Sequence, residues 1–382
     1  MNPINIAFLC SSTSWGGLEM NVLRFAKWFN SQGEAVSLWC VEGSPLHKES
    51  LTSCLTVQLI QRHKKYGDII NSYRLAKRFE EHQIDVLWIR DTRDMSVCGN
   101  AKAISKQKVK LVYQQAMQLG VKKKDFIHTS RFKRIDIWVS PLQFLADQVK
   151  AMTNFPPSRI RVIPLALDTS KFVESKDQAA IRSRLGLPEK AVLLGNIGRI
   201  DPLKGQAFLI RCHAELLNNG FDVHLAIIGE PTKNEGDAYL DQLKELTRTL
   251  KTDEKVHFLP FQSDVENAFA ALDIFAMTSV GETFGMVTIE AMASGLPVIG
   301  TNSSGTPELL GFGEFGVLYE PENQEQFTEG MQLLLENAET RQAMGKKAQD
   351  SAISRFSNKE VLKRLTVVLQ ELTDKKNQTP QA

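Results

Sequence analysis

Gly281-Glu282-Thr283-Phe284-Gly285-Met286-Val287-Thr288-Ile289-Glu290-Ala291-Met292-Ala293-Ser294-Gly295-Leu296-Pro297-Val298-Ile299 reads as a glycine-containing turn that enters a short helix, then a Gly-Leu-Pro stop and a β-branched strand. Two carboxylates, Glu282 and Glu290, bracket the turn and the helix. A helix start gathers unpaired N–H groups and positive dipole, which suits an anionic phosphate. A carboxylate close by can accept hydrogen bonds from vicinal hydroxyls.

The same strand-and-helix alternation extends outward from this stretch in both directions. In the first half, apolar β-rich runs fall at 4–10, 35–41, 56–60, 85–90, 110–115, 136–140 and 159–164, with helical patterns such as 18–29 and 69–81 between them. A second series has strands at 191–198, 222–229, 256–261, 273–278, 297–301 and 316–319. Helices are expected there at 206–218, 236–250, 265–272, 284–293 and 324–335, and the tail from Glu339 to about Lys375 is expected to be helical throughout. Near-continuous apolar strands alternating with helices specify parallel sheets covered on both faces. The segment 167–190, polar and turn-rich apart from a short helical piece at 179–185, reads as a linker. The expected organisation is α/β: two doubly wound Rossmann-like domains, 1–170 and 171–355, facing a central cleft, with a C-terminal helical segment 356–382 packing back toward the first. Such sheets bind ligands outside the carboxyl ends of their strands.

Composition agrees with a soluble globular chain: 42% of its 382 residues are apolar and 24% are charged. The N-terminus has neither the basic flank nor the apolar core of a signal peptide, and no run of about 18 apolar residues predicts a membrane span. The five scattered cysteines, without CxxC spacing, read as thiols in a reducing cytoplasm and not as a zinc site or disulfide framework. Charge is unevenly divided. Through Ser170 there are 24 Lys+Arg against 14 Asp+Glu, a balance of +10, which leaves −8 for the rest of the net +2.

Two further motifs follow strands. Ser11-Ser12-Thr13-Ser14-Trp15-Gly16-Gly17-Leu18-Glu19 ends the first strand. Its Gly16-Gly17 pair either lets backbone approach a ligand or merely closes a turn. The GxGxxG and Walker A patterns are absent, so neither a dinucleotide fingerprint nor a P-loop is present. Gly195-Asn196-Ile197-Gly198-Arg199-Ile200-Asp201-Pro202-Leu203-Lys204-Gly205 opens the second series. An Arg fork and a Lys point charge at a strand end suit a diphosphate better than two solvated cations would. Glu290 stands among Val287, Ile289, Ala291, Met292 and Ala293, where an unpaired carboxylate is costly, so a bound diol is a natural partner. Phosphates and hydroxyls held together describe a nucleotide sugar.

Taken together, Gly198-Arg199, Lys204-Gly205, Glu282-Thr283-Phe284-Gly285, Glu290-Ala291-Met292-Ala293 and Gly295-Leu296-Pro297-Val298 resemble family 4 of the retaining glycosyltransferases, of the two-domain GT-B type. The likeness extends to Gly16-Gly17, to Pro164-Leu165-Ala166-Leu167-Asp168 and to the turn Ser303-Ser304-Gly305-Thr306-Pro307-Glu308. The resemblance implies that Arg199 and Lys204 hold the donor diphosphate and that Glu290 binds the ribose hydroxyls. Glu282 and Thr283, with the amides of Phe284, Gly285 and Met286, would hold the sugar and its phosphate. Gly16 and Gly17 would approach the diphosphate from the other domain. Catalysis would rest on Arg199, Lys204 and Glu282, with no metal and no cofactor beyond the nucleotide diphosphate sugar. Where the family often has His-Asp after the fifth strand, this chain reads Val112-Tyr113-Gln114-Gln115-Ala116-Met117. Glutamine thus replaces the imidazole, and Gln114 and Gln115 are expected on the acceptor side.

The resemblance further implies transfer of a hexose from a UDP- or GDP-sugar to a glycan or lipid-linked acceptor, in cell-surface polysaccharide or lipopolysaccharide synthesis. Three basic clusters of the first half are interleaved with aromatic and apolar residues: Arg62, Lys64, Lys65 and Tyr66; Lys102, Lys106, Lys108 and Lys110; and Lys122–Lys124 with Phe126, Ile127, Arg131, Phe132, Lys133 and Arg134. They are expected either to be simply solvated or to touch an anionic membrane at its cytoplasmic face. No nucleic-acid module is recognisable. The competing readings are a sugar-nucleotide epimerase and a non-catalytic nucleotide-sugar-binding protein of the same fold.

Overall fold

The computed structural model describes residues 3–231 and 237–373. Gly236, the expected start of one helix, Lys375, the expected end of the tail, and the last part of the 356–382 segment lie outside the described residues. The chain divides into two compact units, one running to Pro164 and resuming at Val361, the other spanning Leu165–Glu360.

The first unit holds a seven-stranded parallel sheet of β1 (Asn5–Cys10), β2 (Ala35–Val41), β3 (Thr56–Ile60), β4 (Val86–Ile89), β5 (Lys110–Gln114), β6 (Ile137–Ser140) and β7 (Ile160–Val162). Their spatial order is β3-β2-β1-β4-β5-β6-β7, so the direction of winding reverses between β1 and β4. Successive side chains of a strand point to opposite faces, which is why β1 serves two cores. Ala7 and Leu9 join Leu87, Ile89, Leu111 and Trp138 on one side, whereas Phe8 stacks on Trp88 and meets Phe29 at a tilt on the other. The second unit has six parallel strands: β8 (Val192–Ile197), β9 (Val223–Ile228), β10 (Val256–Leu259), β11 (Ile274–Met277), β12 (Val298–Thr301) and β13 (Val317–Tyr319). Their order, β10-β9-β8-β11-β12-β13, reverses between β8 and β11. The helices Gln206–Asn218 and Gln324–Glu336 cover this sheet through a Phe208, Tyr319 and Phe327 aromatic cluster.

Two expectations are revised. The tail is not one helix: Ala338–Phe356 and Asn358–Thr373 are separated at Ser357, whose ψ of 143° is extended. The interruption has a cause, because Leu167 donates to the Phe356 carbonyl and accepts from the Asn358 amide, a single strand-like bridge. From Val361 onward the last helix belongs to the first unit, where Arg364 donates to the Val162 carbonyl. The 167–190 segment is likewise more than a linker. The helical piece expected at 179–185 forms as the helix Gln178–Leu185, and its Arg182, 3% exposed, donates to the carbonyls of Ala271, Glu189 and Ala191 and to Asp273. A polar composition concealed a buried guanidinium satisfied by carbonyls, which only tertiary contacts could supply.

His213, on the helix Gln206–Asn218, is fully buried. Its Nε2 lies 2.8 Å from the Val223 carbonyl, which can only accept, and its Nδ1 has no partner. Burial therefore favours the neutral ring and lowers the pKa from 6.5 to about 4. Because the folded pKa is the lower one, the unfolded chain binds the proton first. The stabilisation is present above pH 6.5 and is lost as pH falls toward 4, by on the order of 3 kcal/mol. The thermal midpoint of the second unit should fall over that window. In His213→Phe it should fall less steeply, and parallel pH profiles for the two proteins would contradict this account.

Candidate active site

In the second unit, two strand-to-helix connections flank the β8/β11 switch point. After β8, Asp201 caps the Leu203 amide at 2.9 Å and closes a short 3-10 turn at Pro202–Lys204. Gly205 then takes φ 71°, and a Cβ there would lie 2.4 Å from the Thr278 carbonyl, so only glycine fits. The Lys204 carbonyl accepts from Thr278 Oγ1 at 2.7 Å, which ties this loop to the end of β11. Gln206, fully buried, donates to the Arg199 carbonyl at 2.8 Å. These contacts fix the backbone that carries Arg199 and Lys204.

After β11 the chain enters the turn quoted first. Phe284 is 4% exposed and packs edge-on against Phe356, which anchors the turn in the core. Gly285, at φ 89°, caps the helix Met286–Ala293. Thr288 and Ile289 donate to the Gly285 carbonyl, and among the described residues the amides of Phe284, Gly285, Met286 and Val287 have no backbone acceptor. The 303–305 turn braces the loop from the other side: Ser303 Oγ and Ser304 Oγ donate to the Val280 carbonyl, and the Gly305 amide to that of Glu282.

The two connections meet in an ion pair. Lys204 Nζ donates to Glu282 Oε2 at 2.8 Å, with both side chains mostly but not wholly buried. Arg199 stands beside it with 62% of its side chain exposed, 3.9 Å from Asp201. Thr283 is half-buried, and Glu290 is 8% exposed on the helix. Arg199 and Lys204 follow β8, and Glu282, Thr283 and the helix start follow β11, its neighbour in the sheet. The structure adds the direct Lys204–Glu282 pairing, which the motif spacing did not indicate.

In the first unit, Gly16 caps the helix Gly17–Ser31 with extended backbone. Neither glycine of the pair has positive φ, a Cβ on Gly17 would meet nothing within 4 Å, and one on Gly16 would make only an ordinary contact with Glu19. No internal packing demand accounts for glycine at either position. Gln114 and Gln115, expected on the acceptor side, are instead turned into the interior, 0% and 1% exposed. Gln114 Oε1 accepts from Arg90 Nη1 at 3.0 Å and Trp88 Nε1 at 3.3 Å; burial lowers the Arg90 pKa to about 10. Gln115 Oε1 accepts from Ser140 Oγ and Trp138 Nε1. A glutamine at a strand end can point either way, and here two indole N–H groups claim the inward rotamers.

A cluster that the sequence did not reveal lies at the carboxyl ends of β1 and β4. Asp94 is fully buried, accepts from the Ser11 hydroxyl and amide, and pairs with His63 Nε2 at 2.9 Å. Burial pushes its carboxyl up, against the pull of His63. Four of the five cysteines are buried, Cys54 is exposed, and all are free thiols. No described helix is long and apolar enough to cross a membrane.

Two parallel, doubly wound units with polar loops at both switch points define a fold that takes ligands at its strand ends. The family comparisons narrow this. Residues 177–351 match the model of the glycosyl transferases group 1, and residues 15–171 that of glycosyltransferase family 4. The chain belongs to glycosyltransferase family 4 and has the GT-B fold. A D-inositol 3-phosphate glycosyltransferase of Corynebacterium kroppenstedtii is 34% identical over 207 residues, covering 53% of this chain and 46% of that protein. The chain thus spans about half the length of the curated relatives it matches. Among solved structures, a glycosyltransferase from Rickettsia africae aligns over 98% of this chain and all of its own, with TM-score 0.87 and 18% identity. Anabaena Alr3699/HepE, in complex with UDP and glucose, aligns over 96% and 99% with TM-score 0.79 and 21% identity. At those identities the structures speak for the fold.

Proposed function

We propose that this protein is a retaining, metal-independent glycosyltransferase that moves a hexose from a UDP- or GDP-sugar to a glycan or lipid-linked acceptor. The observation that carries the reading is the Lys204–Glu282 pair, set beside Arg199 and the start of the Met286–Ala293 helix at the β8/β11 switch point. Structures of Anabaena Alr3699/HepE with UDP and glucose, and relatives bearing the D-inositol 3-phosphate glycosyltransferase name, support the same choice of donor and reaction class.

In this proposal an incoming diphosphate competes with Glu282 for Lys204, and the released carboxylate turns to the sugar hydroxyls. Glu290 takes the ribose diol. Same-face attack proceeds through an oxocarbenium-like state, and the departing phosphate oxygen accepts the proton of the acceptor hydroxyl. Arg199, Lys204 and the helix-start amides stabilise the charge that grows on the leaving diphosphate. The basic first unit contributes peripheral contact with an anionic membrane, favoured by the exposure of Ile69, Ile70, Phe126 and Ile127 beside its lysines. In this reading the reaction runs at the cytoplasmic face, in polysaccharide or lipopolysaccharide synthesis.

Thermal-shift screening of UDP-, GDP- and ADP-sugars identifies the donor, since bound ligand stabilises the fold by mass action. With that donor and a sugar acceptor, the anomeric proton of the product should keep the donor's configuration, and the rate should survive EDTA. A complete loss restored by Mg would refute the metal-independent scheme. Donor incubated alone should undergo only slow hydrolysis; conversion to an isomeric sugar nucleotide would establish the epimerase instead, and donor binding without any turnover the silent binder.

A further inference from the structure

Three connections of the first unit converge on a spot that the donor reading leaves unused. Lys65 and Tyr66 follow β3, Thr92 follows β4, and Lys123 and Arg131 follow β5. In the sheet, β3 and β5 lie on opposite sides of the β1/β4 pair, so their loops can meet only by reaching across the switch point, where doubly wound sheets take ligands. They do meet. Arg131, 8% exposed on the helix Phe126–Lys133, donates from Nη2 to the Thr92 carbonyl at 2.8 Å and from Nη1 to the Tyr66 hydroxyl at 3.2 Å. Its guanidinium lies 4.7 Å from the Tyr66 ring centroid, and Lys65 Nζ lies 5.4 Å from the same ring. Arg131 Nε is buried with no hydrogen-bond acceptor.

The electrostatics are one-sided. Burial, then the neighbouring Lys65 and Arg131, hold the Lys123 ammonium below the usual lysine range. Among the described residues none of the three forms an ion pair with a carboxylate. Asp125, the acid felt by Arg131, is already committed, accepting from the His128 amide at 3.0 Å and pairing with its ring. The arrangement is nonetheless fixed. His63 pins the Tyr66 segment to Asp94, and the Lys123 amide donates to the Met152 carbonyl at 2.7 Å. Cations held together without a balancing acid cost stability unless an anion joins them. The Tyr66 hydroxyl, which accepts from Arg131, keeps its own hydrogen to donate.

We propose that Lys65, Tyr66, Lys123 and Arg131 form a subsite for a phosphoryl group, a phosphate monoester or diester carried by the acceptor. The proposal rests on the transferase reading and gives that reading an acceptor class. Lysine ammonium groups and a tyrosine hydroxyl meet the phosphate oxygens, with the Arg131 charge behind them. The same chemistry serves a soluble sugar phosphate or a phospholipid headgroup.

The full chain is titrated with glycerol 3-phosphate, and in parallel mixed with phosphatidylcholine vesicles with and without phosphatidic acid. Binding of the soluble ester identifies a soluble phosphorylated acceptor, and flotation only with phosphatidic acid identifies a headgroup. Either result supports the subsite if Lys65→Ala/Lys123→Ala weakens it at least tenfold while keeping the wild-type melting temperature and UDP binding. Arg131→Gln, buried and more prone to misfold, serves as the second variant. Failure of both probes, or undiminished binding by the double variant, overturns the subsite. Loss of UDP-sugar binding in the wild type, with phosphate binding intact, would instead retire the transferase reading and leave the anion site standing.

Discussion

Lys204→Ala should lower kcat/KM for sugar transfer by about a hundredfold. The lysine sits on a backbone clamped by Thr278 and by the glycine that only this turn admits, so its position is set before any ligand arrives. A preorganised cation facing the leaving diphosphate gains strength as negative charge develops there, and losing one such contact raises a barrier by about 3 kcal/mol. The substitution also leaves Glu282 without its 2.8 Å partner. Both side chains retain some solvent access, so the cost to folding should be modest beside the cost to catalysis. Leu203→Ala, one residue away and 79% exposed, serves as the control and should leave turnover unchanged. Retention of transfer within threefold by Lys204→Ala, with an unaltered melting temperature, would remove Lys204 from the chemistry.

Arg182→Ala should have the largest effect on stability, destabilising the second unit by about 3 kcal/mol or more. Its guanidinium supplies donors to three backbone carbonyls and to Asp273, which also accepts from the Leu193 amide at the start of β8. Truncation leaves those carbonyls unsatisfied in the interior and Asp273 without its counter-charge, each a recognised source of large losses. Asp273 keeps partial solvent exposure, which holds the expectation to the lower end of the range for buried pairs. Arg182→Lys restores the charge but not the fork and should recover only part of the loss. Chemical denaturation followed by tryptophan-independent far-UV dichroism reads both units, and an unchanged midpoint in the alanine variant would show that water replaces the guanidinium freely.

The strands were legible because each carries its signal within itself. The 35–41 and 56–60 runs match β2 and β3 residue for residue, as the 69–81 and 206–218 helical patterns match their helices. Local periodicity and punctuation suffice for such elements. The motifs proposed for the donor side were legible for a related reason: they lie in two short connections, directly after strands, and resemble one family. Side-chain direction was not. Gln114 and Gln115 looked available because a strand end is where ligands bind, yet Trp88 and Trp138, 26 and 23 residues away, take their oxygens inward.

What the amino-acid order determined by itself was the alternation of elements, the two parallel sheets and the family motifs that name Arg199, Lys204, Glu282 and Glu290. What tertiary structure decided was partnership. Lys204 meets Glu282 across 78 residues, His63 meets Asp94 across 31, and Arg131 meets Tyr66 across 65. None of these distances follows from a helical or strand period. They follow from strand order, which carries loops far apart in the chain over the same pair of strands and so lets charges find one another there.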